Sequence, residues 1–262
     1  MPSAPTDLPP TLITGAANRI GKAMASQLAA AGTPVCIHYR SSEDAAHQAV
    51  ANIKEAGGTA AAVQADLLKD DDVAGLIGKA SDALGAPLGC LVNNASMFES
   101  DAVGDLGPDL FKAHFGVHAT APALLADQFV KQLPHTSDGL IVNIIDQRVW
   151  KLTPNFVSYT ASKVALWGLT QTLAQAFAEA TKGRVRVNAI GPGPTLSNDR
   201  QEDDDFKKQV AGVPLKRSPD LDAFAQTITY LWRMKAVTGQ MIALDGGQHL
   251  AWETPDVAGI NE

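Results

Sequence analysis

Seven short apolar runs punctuate the chain, and between them apolar positions recur with the three-to-four spacing of helices. The runs are TLIT (11–14), PVCIHY (34–39), TAAAVQAD (59–66), GCLVNNA (89–95), GLIVNII (139–145), RVRVNAI (184–190) and GQMIALD (239–245). The intervening segments predict helices from about Arg19 to Ala31, through Ile53, to about Leu84, from Asp109 to Leu133, from Asn155 to Thr181 and near Leu221–Met234; Gly57-Gly58 ends the second. Strands alternating with helices predict an α/β fold, a doubly wound parallel sheet of about seven strands with helices on both faces. Runs as continuously apolar as LIVNII suit a sheet covered on both sides.

No internal repeat or linker divides the pattern, so one domain is expected over residues 11–250, with 1–10 a proline-rich disordered leader and 251–262 a tail. MPSAPTDLPP has neither a basic start nor an apolar stretch, and the chain reads as cytoplasmic, without a signal or a membrane span. SNDRQEDDDFKK (197–208) is charged and poor in apolar residues. Two readings stand for it and its continuation to 212, a solvated loop or a lid over a site. With 262 residues, 45% of them hydrophobic, one large core is affordable. A net charge of −7 without a Lys/Arg-dense run argues against a nucleic-acid partner. Cys36 and Cys90 lie inside strand-like runs and read as buried thiols, and no metal is expected.

TLITGAANRIG (11–21) is a strand, a turn and a helix start. Gly15 permits the sharp turn, Gly21 close helix–strand packing, and the free N–H groups of the helix start suit a pyrophosphate. Read alone, such a turn is equally a plain tight turn. Following the first strand of an alternating pattern, it predicts a Rossmann-type nucleotide site. The second strand ends in His38, Tyr39, Arg40 and Ser41, a guanidinium and hydroxyls where a carboxylate would select NAD, so NADP(H) is expected. Asp66, ending the third strand, is placed for the adenine, and Asn93, Ala95 and Ser96, ending the fourth, for the nicotinamide half.

Tyr159 and Lys163 stand four apart and share a helix face, with Asp146 at the end of an apolar run 13 residues before the tyrosine. A nearby ammonium would stabilise the phenolate, lower the tyrosine pKa and ease proton donation. What a carboxylate does beside them, where a neutral hydroxyl would be the safer choice, stays open; one reading is that Asp146 only caps the turn before the next helix.

Together TGAANRIG, NNAS, YTASK, RVNAIGPG and LDGG resemble the short-chain dehydrogenase/reductase family from Thr11 to about Leu250. Within it the chain is most similar to the pteridine reductases and the dihydromonapterin and dihydrofolate reductases. Four features carry the narrower likeness: Arg19 in the turn, HYRSS, Phe98 after NNASM, and Asp146 where most members carry a catalytic serine. The resemblance implies Asp146, Tyr159 and Lys163 as catalytic residues. It adds Arg19, Ile20, Leu67, Pro192, Gly193 and Thr195 to the NADP(H) contacts, where Tyr159 and Lys163 also serve. Arg19, Ser96, Phe98, Asp146 and Tyr159 would hold a pterin, with Phe98 stacking on it; the alternative for Phe98 is a core residue under a loop. His118 stands where many members carry an asparagine that continues a water relay from the lysine; relay and core histidine both remain open. Symmetric tetramers are usual in the family, and the helices around 109–133 and 153–181 are apolar on more than one face, so a homotetramer is expected.

The function these features imply is NADPH-dependent reduction of a pteridine C=N bond. A carbonyl reductase acting on 3-oxoacyl, sugar or quinone substrates is the alternative, though an anion at 146 would repel an alkoxide. A non-catalytic NADP(H) sensor is the third reading, less consistent with an intact Tyr159/Lys163 pair.

Overall fold

The computed structural model describes residues 7–196 and 203–252. Each apolar run contains a strand: β1 Thr11–Ile13, β2 Val35–Tyr39, β3 Ala60–Gln64, β4 Cys90–Asn93, β5 Gly139–Ile144, β6 Val185–Pro192 and β7 Met241–Leu244. They form one parallel sheet in the order β3-β2-β1-β4-β5-β6-β7. Helices α1 Arg19–Ala30, α2 Glu43–Glu55, α3 Asp70–Leu84, α4 Pro108–Phe115, α5 Ala121–Gln132, α6 Val157–Ala180, α7 Asp203–Gly212 and α8 Asp222–Arg233 complete the described residues.

Successive strand residues face opposite sides of a sheet, so continuous apolar runs supply two cores at once. Ile13, Ile37, Val92 and Val142 pack with α1, α2 and α8, whereas Leu12, Cys36, Leu91 and Ile141 pack with α3, α5 and α6. Phe129 and Phe224 anchor the two sides and are fully buried. Each such side chain contributes about 1.5–3 kcal/mol on burial. Cys36 and Cys90 are free, and burial pushes both thiols up to about 12, which makes them inert packing groups.

The chain winds outward from β1 to β3 and then crosses back to β4, so neighbouring β1 and β4 lead their following segments to opposite sides. A crevice opens there beyond the strands' carboxyl ends, the place where doubly wound sheets bind ligands. Gly15 follows β1 and Asn94-Ala95 follow β4, both at that crevice.

Three expectations need correction. The described part of the leader is packed: Leu8 is buried, and the Pro10 carbonyl accepts the Gly89 N–H at 3.0 Å, so the ordered unit begins before Thr11. The helix expected over 109–133 is interrupted by a π-helical turn at Gly116–Thr120, which separates α4 from α5. Residues 203–212 form α7 rather than a loop, with Lys207 and Lys208 paired to Asp204 and Asp205 three residues before them. Residues 1–6, 197–202 and 253–262, which carry the rest of the leader, loop and tail expectations, lie outside the described residues. No helix among the described residues is long and apolar enough to cross a membrane, and none of their His, Cys, Asp and Glu side chains cluster in threes to hold a metal.

Candidate active site

The glycine turn is held from behind. Thr14 Oγ1 accepts the N–H groups of Asn94 and Ala95 at 2.9 and 3.0 Å, and Asn94 Nδ2 donates to the Thr14 and Gly15 carbonyls. Gly15 takes a φ of 63°, and a Cβ there would stand 2.8 Å from Ala95 Cα. A Cβ on Gly21 would meet the Gly15 carbonyl oxygen at 2.6 Å. Both glycines are therefore demanded by backbone contact. The Asn18 side chain makes no capping hydrogen bond at the start of α1, and Asn18, Arg19, Ile20 and Gly21 line the crevice.

Two recesses flank this turn. One, of about 240 Å³, is lined by Gly15, Asn18, His38, Tyr39, Arg40, Ser41, Asp66, Leu67 and Ala95. Arg40 and Ser41 are exposed at its rim, free of any carboxylate at the end of β2. The other, of about 510 Å³, is lined by Arg19, Ile20, Ser96, Phe98, Asp146, Tyr159, Lys163, Pro192 and Gly193. It continues into a third space of about 410 Å³ that reaches Thr195 and Gln209. The shape and donors suit a dinucleotide: hydroxyls and a guanidinium for a 2′-phosphate, the start of α1 for a pyrophosphate, and Tyr159 and Lys163 at the far end.

Two expected cofactor contacts have their side chains engaged by protein partners, although His38 also lines the first recess. His38 is buried; its Nδ1 accepts the Gly15 N–H at 3.0 Å, and its Nε2 donates to the Ala65 carbonyl at 3.0 Å. It shapes the turn, with both ring nitrogens used. The Asn93 side chain lies under the sheet's end and donates to Asn143 Oδ1 at 2.8 Å; Asn143 in turn donates to Thr170. Its neighbour Asn94 faces the cavity, because successive residues leaving a strand alternate sides.

Asp146 splits its two oxygens between two tasks. Oδ1 accepts the Arg148 N–H at 2.8 Å and caps the short turn Gln147–Val149, while Oδ2 accepts the Tyr159 hydroxyl at 3.0 Å. The capping reading of Asp146 thus holds, and the same carboxylate also meets Tyr159. Lys163 is buried, donates to the Ile144 carbonyl at 3.0 Å, and sits 5.7 Å from the Tyr159 ring centre. Burial lowers Lys163 to about 8, against the opposing pull of Asp146. Tyr159 departs from expectation. Burial, the Asp146 charge and the hydrogen bond to it hold the phenol well above its ordinary pKa, with Arg148 and Ser96 pulling weakly downward. Burial is the largest influence, and the carboxylate that accepts the hydroxyl adds to it.

Phe98 is half-buried and forms cavity wall rather than core. One face stacks on Phe156 at 4.4 Å and 16°, and the Tyr159 ring meets it edge-on at 4.8 Å. Arg148 lies over the Phe156 ring, 5.3 Å from its centre. Sequence reasoning missed Phe156, Arg148 and Asn94. Phe156 takes a φ of 58°, a conformation that a sequence signals through Gly or Asn and not through an aromatic residue. Arg19 also takes a positive φ, 53°, and its Nη2 donates to the Leu196 carbonyl, tying the glycine turn to the segment after β6. His118 is fully buried, with both nitrogens engaged by protein groups, Ser162 on one side and Ser96 and Met97 on the other. That geometry favours the core reading over a relay.

The pattern of the short chain dehydrogenase family matches residues 10–208. The chain belongs to that family. It is 33% identical over 239 residues, 90% of this chain and 95% of the relative, to 3-oxoacyl-[acyl-carrier-protein] reductase of Synechocystis sp.. It is 30% identical over 245 residues to dihydromonapterin reductase of Citrobacter koseri, 92% of this chain and 97% of that one. Among solved structures, FolM alternative dihydrofolate reductase 1 from Brucella canis, complexed with NADP, superposes with a TM-score of 0.91 at 53% identity, covering 96% of this chain and 98% of that one. As a short-chain dehydrogenase the chain is an oxidoreductase, and its relatives include reductases of both a carbonyl and pterin-type substrates.

Proposed function

We propose that the chain is an NADPH-dependent reductase of a pteridine substrate of the dihydropterin or dihydrofolate type. The observation that carries this reading is the Asp146 carboxylate bonded to Tyr159 at 3.0 Å, on the wall of a cavity that also presents the ring of Phe98. A pterin offers a donor-rich edge for a carboxylate and a flat face for an aromatic ring. The likeness to a dihydrofolate reductase crystallised with NADP, and to dihydromonapterin reductase, supports the same class.

NADPH would lie across the two recesses, its 2′-phosphate at Arg40 and Ser41, and supply a hydride to the carbon of a C=N bond. Tyr159 delivers a proton to the ring nitrogen, directly or through water. Asp146 orients the phenol and grips the substrate edge. Lys163 holds the ribose end and supplies positive charge under the tyrosine. Leu124 and Val164, exposed on α5 and α6, are available for burial in the homotetramer we propose.

The relationship to 3-oxoacyl reductase supports the carbonyl alternative, which Asp146 opposes, because an alkoxide would form beside a fixed anion. NADPH oxidation with dihydropterin and dihydrofolate, set against a 3-oxoacyl thioester, tests the choice. Good turnover of the thioester with none of the pterins at high enzyme concentration would end the pterin reading. Arg40→Glu is expected to raise the KM for NADPH roughly 10- to 100-fold, the worth of one or two charge-assisted bonds, and to leave NADH nearly unaffected. Steady-state kinetics with both cofactors reads this directly.

A further inference from the structure

Beneath Phe98 lies a polar cluster that takes no part in the proton chemistry above. His114 on α4 and His118 on the π-helical turn are four residues apart and neither has exposed surface. Their rings stack at 5.5 Å and 14°, and the Tyr159 ring meets both edge-on, at 6.0 and 5.4 Å. Each imidazole bridges the segment after β4 to helix α6. His118 Nε2 accepts the Met97 N–H at 3.0 Å and lies 3.0 Å from Ser96 Oγ, while its Nδ1 is 2.8 Å from Ser162 Oγ. His114 Nε2 accepts the Glu99 N–H at 3.4 Å, and its Nδ1 is 2.7 Å from Ser158 Oγ.

A backbone N–H can only donate, so each Nε2 is bare and each hydrogen sits on Nδ1, donating to a serine. Ser162 Oγ passes the direction on by donating to the Tyr159 carbonyl at 2.7 Å. An imidazolium would carry hydrogen on both nitrogens and oppose the Met97 and Glu99 N–H groups. The two anchored residues flank Phe98, whose ring must hold its tilt against Tyr159.

We infer that His114 and His118 are positioning residues: as neutral Nδ1–H imidazoles they pin both ends of the 97–99 segment to the helix that carries Tyr159 and Lys163, and thereby set the Phe98 ring against the substrate. The inference rests on the pterin reading, in which Phe98 stacks on the substrate. The surroundings favour neutrality. Burial disfavours protonation of both rings first of all. Lys163 adds to this at both, and His114 adds at His118; Asp101 and Glu99 oppose it only at His114. Asp101 is itself committed, since its carboxylate accepts the Ser158 N–H at the start of α6.

His118→Leu is expected to raise the KM for dihydropterin about tenfold or more, with the KM for NADPH within about twofold and kcat less affected. His118→Gln, whose Oε1 can take the Met97 N–H, is expected to recover most of the loss. An unchanged pterin KM in His118→Leu, or pterin and NADPH KM values rising together, would overturn the inference. Nitrogen-15 spectra of the wild-type histidine rings provide a second reading that needs no variant to fold. Both buried rings are expected as neutral Nδ1–H tautomers at neutral pH; an Nε2–H tautomer or an imidazolium at either position would overturn it. Wild-type protein that reduces ketones and no pterin ends the function proposed above, whereas pterin turnover with a wild-type KM in His118→Leu ends only this inference.

Discussion

Replacing Tyr159 by phenylalanine is expected to lower kcat for dihydropterin reduction by about 10²- to 10⁴-fold, the range supplied by a positioned general acid. The aromatic contacts with Phe98, His114 and His118 survive the change, because they use the ring and not the hydroxyl. Substrate KM and NADPH binding should therefore change far less than kcat, which marks loss of an interaction made in the transition state. Steady-state kinetics and fluorescence titration of bound NADPH separate the two, and equal loss in both would mean a collapsed pocket. The pH profile carries a further sign. Lys163 is charged below about 8 and loses its proton above it, so kcat/KM of the free enzyme should fall on the alkaline side near that value. Lys163→Met should remove that limb.

Asp146→Ser is expected to reduce kcat/KM for pterins by about 10²-fold or more, with activity on simple ketones unchanged or higher. Serine is the informative replacement because it can still cap the turn at Arg148, leaving only the charge and the second oxygen missing. The same change removes two of the three influences that hold Tyr159 high, so its phenol should ionise at lower pH than in the wild type, readable by ultraviolet titration. Asp146→Asn keeps the shape and removes the charge; recovery of pterin turnover in that variant would mean that shape, not charge, matters.

The strands were legible because a sheet buried on both faces needs near-continuous apolar runs, and LIVNII or CLVN has few other uses. The cofactor turn was legible because Gly15 and Gly21 leave no room for a Cβ, a constraint visible as residue type. Tyr159 and Lys163 were legible because i and i+4 share a helix face wherever the helix packs. The protein hydrogen bonds that engage the His38 and Asn93 side chains were not legible. A residue at a strand's end is equally able to point to ligand or to protein, and neighbours 23 and 50 residues away decide which.

The sequence by itself determined the alternating fold, the family, and the residue types brought to the crevice, since local periodicity and backbone sterics act over a few residues. Only the tertiary structure decided how the groups divide their work. The stacking of Phe156 on Phe98, the breaking of the 109–133 helix at His118, and the tuning of Tyr159 by burial and Asp146 depend on how segments far apart in the chain pack. Hydrogen bonds need contact within about 3 Å and burial depends on every packed segment, and no spacing in the sequence records either.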